Sequence, residues 1–286
     1  MTGKYFCFAV ILLFLILSGC STAPKNPGEI STLRRQAESL LETGNMHTNR
    51  GDFTPAMISL EGALKLSLAA DDPSLRLRSN LSFGNLLLKM DQKEKAQEYW
   101  AQALEESKQI DNTELAAVCR IHIAFGKISI SDDKNQIRPL KDEINRDLPL
   151  IKKDTQYIAL THSIIAQTEI KLENYTEAEN AAKRSLAIHE KEKNFELAAY
   201  SWFLIALSRS RAGNLNGAVE ALNKAIEFDR RVENSWGLAS NWRALGDVYK
   251  RLGKREDSRA AYQRSAEIFR AIDNEETADE VISRIE

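Results

Sequence analysis

Small residues recur along this chain at Gly44, Gly84, Ala124, Ala166, Ala206 and Gly246, in steps of forty with a single step of forty-two. A second series follows twelve residues later: Ala56, Ala96, Ala178, Ala218 and Ser258. A third lies seven beyond that: Ala63, Ala103, Ser185, Ala225 and Ser265. Only the third unit breaks these two series, with Gln136 and Glu143. Two antiparallel helices approach closely only where one lacks a bulky side chain at the crossing. One small position on a first helix and two on a second therefore predict a tight helical hairpin. Such a hairpin cannot bury its apolar face alone, so stacking is required and the hairpins form a solenoid.

The rest of the composition agrees with an all-α chain. Of 286 residues only 13 are Gly and 6 are Pro, while Ala, Leu, Glu, Lys and Arg are abundant. The pattern divides residues 31–286 into units near 31–72, 73–112, 113–154, 155–194, 195–234 and 235–274, with a cap over 275–286. Ser31 is the expected N-cap of the first helix. The segment Glu114-Leu-Ala-Ala117 matches Glu196-Leu-Ala-Ala199 and sets the third unit on Ala124, with Gly126 as the competing choice. That unit also carries Pro139 and Pro149. Either Pro139 opens its second helix or the unit is distorted, because proline is poorly tolerated inside a helix. The tail reads as a first helix without its partner.

Several motifs fix the class of hairpin. The stretch Trp242-Arg-Ala-Leu245-Gly246-Asp-Val-Tyr249 resembles the first helix of a tetratricopeptide repeat. Gly253 falls at its turn, and Ser258, Tyr262 and Ser265 fall where that family has small, aromatic and small residues. Trp202, Ala206, Gly213, Ala218 and Ala225 support it in the fifth unit, as do Phe83, Gly84, Ala96, Trp100 and Ala103 in the second. The usual repeat has thirty-four residues and a proline near its end. This one has forty, with Arg270 at the proline position in the sixth unit. The resemblance implies a right-handed α-solenoid of about six hairpins, with the first helices lining a concave surface that binds protein or peptide partners.

The N-terminus carries a different message. Lys4 precedes an apolar run from Tyr5 to Leu17, which is short for a membrane span of about 20 residues but suits a secretory signal. Leu17-Ser18-Gly19-Cys20 resembles the bacterial lipobox. That resemblance implies cleavage after residue 19 and a diacylglycerol on the sulfur of Cys20, hence a lipoprotein. Ser21 after the cysteine implies the outer membrane, facing the periplasm, in a two-membrane organism. Residues 21–28 (STAPKNPG) read as a flexible tether. Loss of Lys4 with residues 1–19 takes the net charge from −2 to −3, too near neutral to argue for nucleic acid. Cys7 lies in the signal and Cys20 takes the lipid, so Cys119 is left without a partner. Its apolar setting makes it a small core residue.

Catalytic signals are sparse. His47, His122, His162 and His189 are spread along the chain without metal-ligand spacing, and no phosphate loop or nucleophile elbow is present. The expectation is a scaffold that is not an enzyme and needs no cofactor. Projecting the repeat register onto the concave face selects Asn85, Lys89, Phe125, Gln167, Lys171, Tyr200, Phe203, Arg211, Arg243 and Lys250 as the partner-binding groove. Its middle is apolar and its charges are mostly basic, which suits an acidic or carboxylate-ended peptide. The plainer alternative buries the apolar residues between units and leaves the bases solvated. A second functional reading uses Phe125, Tyr200 and Phe203 as a pocket for a lipid or small molecule. Trp100, Trp202 and Trp242 are assigned to packing. Trp236 is left between a staple for the last hairpin and an exposed partner contact.

Overall fold

The computed structural model describes residues 32–285, which leaves the signal sequence, Cys20, the tether and Ser31 outside the described residues. Among the described residues thirteen α-helices follow one another and there is no strand. The first four are α1 (Thr32–Arg50), α2 (Phe53–Ala69), α3 (Pro73–Lys89) and α4 (Lys93–Gln109). The third hairpin is α5 (Thr113–Ile130) and α6 (Lys134–Asp147), trailed by a 3-10 turn at Leu148–Leu150. Then come α7 (Thr155–Lys171), α8 (Tyr175–Lys191), α9 (Phe195–Arg211), α10 (Leu215–Arg231), α11 (Ser235–Arg251), α12 (Arg255–Ala271) and α13 (Glu275–Ser283). Among the described residues no helix is long and apolar enough to cross a membrane.

Local chemistry explains why the helices stop and start where they do. From the second unit on, each first helix begins at an Asp or Asn whose side chain accepts a backbone N–H of the first turn. These N-caps are Asp72, Asn112, Asp154, Asn194, Asn234 and Asn274. Within five of the hairpins the turn is closed by one left-handed residue: Gly51, Asp91, Glu173, Gly213 or Gly253. Asp71, Asp111, Lys193, Glu233 and Asp273 do the same between hairpins.

The small residues sit at the helix crossings. Gly84 lies so close to Trp100 that a Cβ would stand 2.1 Å from the indole nitrogen, and Gly246 meets the ring of Tyr262 in the same way. Trp100 is fully buried and donates its Nε1–H to the Leu81 carbonyl at 3.3 Å. In the third unit Ala124 is buried within the hairpin, whereas Gly126 faces Trp100 and Gln97 of the preceding unit. The two competing small residues therefore serve different joints. The core is a chain of apolar clusters strung along the array, one handing over to the next.

The third unit is the exception. Pro139 does not open α6: the helix starts at Lys134, capped by Asp133, and carries Pro139 inside it. At 14 residues α6 is shorter than the 17 of its counterparts α4, α8, α10 and α12. Its turns carry no left-handed residue. In their place, Glu114 Oε1 accepts the backbone N–H groups of Lys152, Lys153 and Asp154 at 3.0, 2.9 and 3.1 Å. Those N–H groups hold the Glu114 carboxyl below its ordinary range. Arg120 grips Asp147 with two guanidinium nitrogens, at 2.9 and 2.6 Å.

Candidate functional site

The first helices form the inside of the array. α1 touches α3, α5 touches α7, α7 touches α9 and α9 touches α11, while no two second helices make comparable contact. Curvature in that sense is strong enough to bring α11 back to α1. The first helices therefore surround a channel, and the second helices face outward.

All ten groove positions lie on first helices and none is buried. Asn85, Phe125, Gln167, Lys171, Phe203 and Arg243 are half-buried; Lys89, Tyr200, Arg211 and Lys250 are exposed. Tyr200 and Phe203 stack with centroids 6.1 Å apart at 20°. Tyr200 keeps 39% of its surface accessible, yet burial holds its hydroxyl up to about 12. Both follow if the ring stands in a channel that is wet but walled by protein, where charge is poorly solvated. Lys89 shows the same pairing: its side chain is exposed, and burial pushes its amine down to about 8 against the opposing pull of Glu196.

Several of the bases already have a structural task. Lys89 Nζ donates to the Thr48 carbonyl at 3.1 Å. Lys171 Nζ donates to the carbonyls of Ile128, Ser129 and Ser131 at 2.9, 3.1 and 2.9 Å. Arg251 donates to the Ser210 carbonyl at 2.8 Å. These three occupy one repeat position, and each satisfies the C-terminal carbonyls of the preceding first helix. Lys250 likewise reaches the Arg284 carbonyl at 2.8 Å, and Gln167 bonds back to Ser163 of its own helix at 3.4 Å. Arg211 and Arg243 form no hydrogen bond or ion pair with another described residue. The channel thus offers a partner an aromatic pair, Phe125 and the guanidinium groups of Arg211 and Arg243, the second of which is drawn by the charge of Glu280.

At one place the channel wall is joined across the array. Arg50, ending α1, donates Nη2 to the Val232 carbonyl at 3.3 Å, and its Nε lies 3.7 Å from Glu196 Oε2. Gly51 lies against the Trp236 indole so closely that a Cβ would stand 2.5 Å from Cδ2. Trp236 also meets Phe53 at 5.8 Å and the edge of Phe269 at 5.4 Å. Burial pushes the Glu196 carboxyl up, with Arg50, Lys89 and Asn49 pulling it back. Behind this joint, Asp229 accepts from Asn234 and Asn241 at 2.8 and 2.6 Å, and burial raises it to about 7. The register of small residues gives no hint of Arg50, Glu196 or Asp229. Trp236 staples the last hairpin, and also the first unit.

His122, His189 and Cys119 are packing residues. His122 and His189 are each 3% exposed, and burial lowers both, His189 to about 4. Cys119 is fully buried and its thiol is raised to about 12, so it is unreactive. Trp202 and Trp242 pack half-buried against the core between units. Among the described residues no three His, Cys, Asp or Glu side chains gather as a metal site.

Residues 196–271, covering α9 to α12, match the model of the tetratricopeptide repeat, so this part of the array consists of such repeats. No curated protein matches the chain. Solved structures share its fold. A Rap protein complexed with Competence and Sporulation Factor is 17% identical over 87% of this chain and 73% of its own, with a TM-score of 0.60. Aspartyl phosphate phosphatase F from Bacillus subtilis is 13% identical over 90% of this chain and 83% of its own, with a TM-score of 0.57. BtubC from P. vanneervenii is 14% identical over 85% of this chain and 93% of its own, with a TM-score of 0.54. The fold is therefore that of a helical-repeat solenoid, with tetratricopeptide repeats matched over residues 196–271.

Proposed function

We propose that this protein is a lipid-anchored scaffold of the cell envelope that binds a protein or peptide partner in the channel of its array. The observation carrying this reading is the accessible Tyr200–Phe203 stack on the inner face, which Arg211 of the same helix and Arg243 of α11 share. Aromatic rings and guanidinium groups suit a partner segment with an apolar side chain and a carboxylate. A Rap protein of similar fold is complexed with Competence and Sporulation Factor, which supports partner binding by an array of this fold. The anchor rests on Leu17-Ser18-Gly19-Cys20, and Ser21 directs the protein to an outer membrane, facing the periplasm, where the organism has one. Two acyl chains hold stably where one does not, since each buried methylene contributes about 0.8 kcal/mol.

Crosslinking in cells followed by pull-down from membranes tests the binding face. A partner captured by the natural chain should be lost on Phe203→Asp combined with Arg243→Glu. Retention of every captured protein by that variant sinks the channel reading. The anchor is tested separately: Cys20→Ala should leave the membrane fraction with its helices intact. A second reading, a lipid or small molecule held at the apolar centre, draws on the same exposed Tyr200. Native mass spectrometry showing a bound small ligand, with no protein captured, would favour it.

A further inference from the structure

Arg50 and Val232 are 182 positions apart, yet they share a hydrogen bond. Nothing in a stack of neighbours requires this. The joint is built from α1, the turn after it, and the starts of α9 and α11, so it closes the wall of the channel. We propose that it is a clasp, opening to admit a bulky partner to the channel and shutting behind it. This rests on the channel being the binding face.

Its construction suits a contact that must open. The ion pair between Arg50 and Glu196 is long at 3.7 Å. Arg50 Nε and Glu196 Oε1 are both buried and neither has a hydrogen-bond partner. A half-buried pair with that geometry recovers little of its desolvation, so it adds weak adhesion where a well-made pair would lock. Opening rehydrates both groups. The guanidinium–carbonyl bond from Arg50 to Val232 is long at 3.3 Å, and Asn49 adds a pull on the Glu196 carboxyl.

Alignment comes from shape. Gly51 adopts φ of +78° and presents bare backbone to the Trp236 indole. Phe53 tilts onto the other side of the joint at 59°. Trp236 is held from behind by Phe269, so the indole stays in place when the turn withdraws. The polar part is linked to the channel lining. Lys89 caps α1 at Thr48, reaches Asn49 Oδ1 at 3.5 Å and is attracted by Glu196. A carboxylate entering the channel competes with Glu196 for Lys89 and so pulls on the clasp from inside.

The experiment uses the full chain carrying Tyr200→Cys, with the parent chain's own labelling subtracted. Its reagents are a maleimide bearing a long polyethylene glycol chain and small N-ethylmaleimide. Arg50→Glu and Glu196→Arg should each speed the bulky reagent about tenfold, as expected if the open state shifts from rare to common. The small reagent should be nearly unaffected. The double reversal should return the bulky reagent toward the parent rate. Gly51→Val, which wedges the aromatic side without touching charge, should behave like the single reversals. The clasp is overturned if the bulky reagent reacts equally in all chains. It is also overturned if both reagents speed up together, or if the double reversal fails to recover. Labelling that ignores the clasp while Phe203→Asp still abolishes partner capture removes the gate and keeps the channel. Labelling that obeys the clasp while capture ignores Arg211→Glu and Phe203→Asp does the reverse.

Discussion

Two kinds of joint hold this array together, and they are made of different material. Neighbouring units meet through small residues, buried aromatics and capped helix ends that recur every forty positions. Trp100 shows it best: Gly84 of its own hairpin lies on one part of the indole and Gly126 of the next unit on another. The first and sixth units meet through Gly51, Phe53 and Trp236, with a stretched ion pair beside them. Repetition can encode only contacts between neighbours. A contact that closes a circuit has to be written in residues that do not repeat.

The largest test strikes the neighbour joint. Trp100→Ala removes a fully buried indole from two interfaces at once and should destabilise by about 3–5 kcal/mol, read as a large fall in melting temperature. A change under about 1 kcal/mol would mean that Trp100 is not the hub its contacts make it.

Next is Asp229, which braces the turn that receives Arg50. Its carboxyl is raised from 3.8 to about 7, so the folded chain holds a proton that the unfolded chain releases. The contribution is full below pH 3.8 and is lost as pH rises through about 7. Natural chain minus Asp229→Asn should therefore favour the natural chain by about 3 kcal/mol more at pH 5 than at pH 8. The histidines work oppositely. His189, held down to about 4, loses its contribution as pH falls below 6.5, and His122 and His162 shift in the same direction. Only the difference between the two chains isolates Asp229. A difference that is flat with pH would refute its assignment.

Trp236→Ala separates the two joints. It should lower stability by about 2 kcal/mol while raising hydrogen exchange at residues 47–53, with α7 and α8 unchanged. Exchange rising evenly along the array would show that no distinct clasp exists. The smallest effect belongs to Lys171→Met, which uncaps α5 at three carbonyls. About 1 kcal/mol is expected, with faster exchange confined to residues 128–134.

The same distinction explains what could be read from the chain. The hairpins were legible because the small residues mark helix crossings and a helix crossing is a local event. The N-caps Asp72, Asn112, Asp154, Asn194, Asn234 and Asn274 keep the same register in the structure. Inner-face residues could be projected from that register, because facing inward is also a property of one repeat. What each base does there could not be projected. Lys89 and Lys171 look like recognition groups in the sequence, and the structure spends them on helix ends of the previous unit. The irregular third unit was visible as an interruption. Its repair was not, because Glu114 reaches N–H groups 38 to 40 positions away.

Closure also bears on how such a chain can change over generations. An open stack tolerates duplication or loss of a unit, since every new end looks like the old one. This chain must bring Gly51 to Trp236 after a fixed rotation. One more or one fewer unit of forty residues would carry Trp236 past its seat. Closure therefore ties the number of units to their sequence, and relatives that keep the clasp should keep the count.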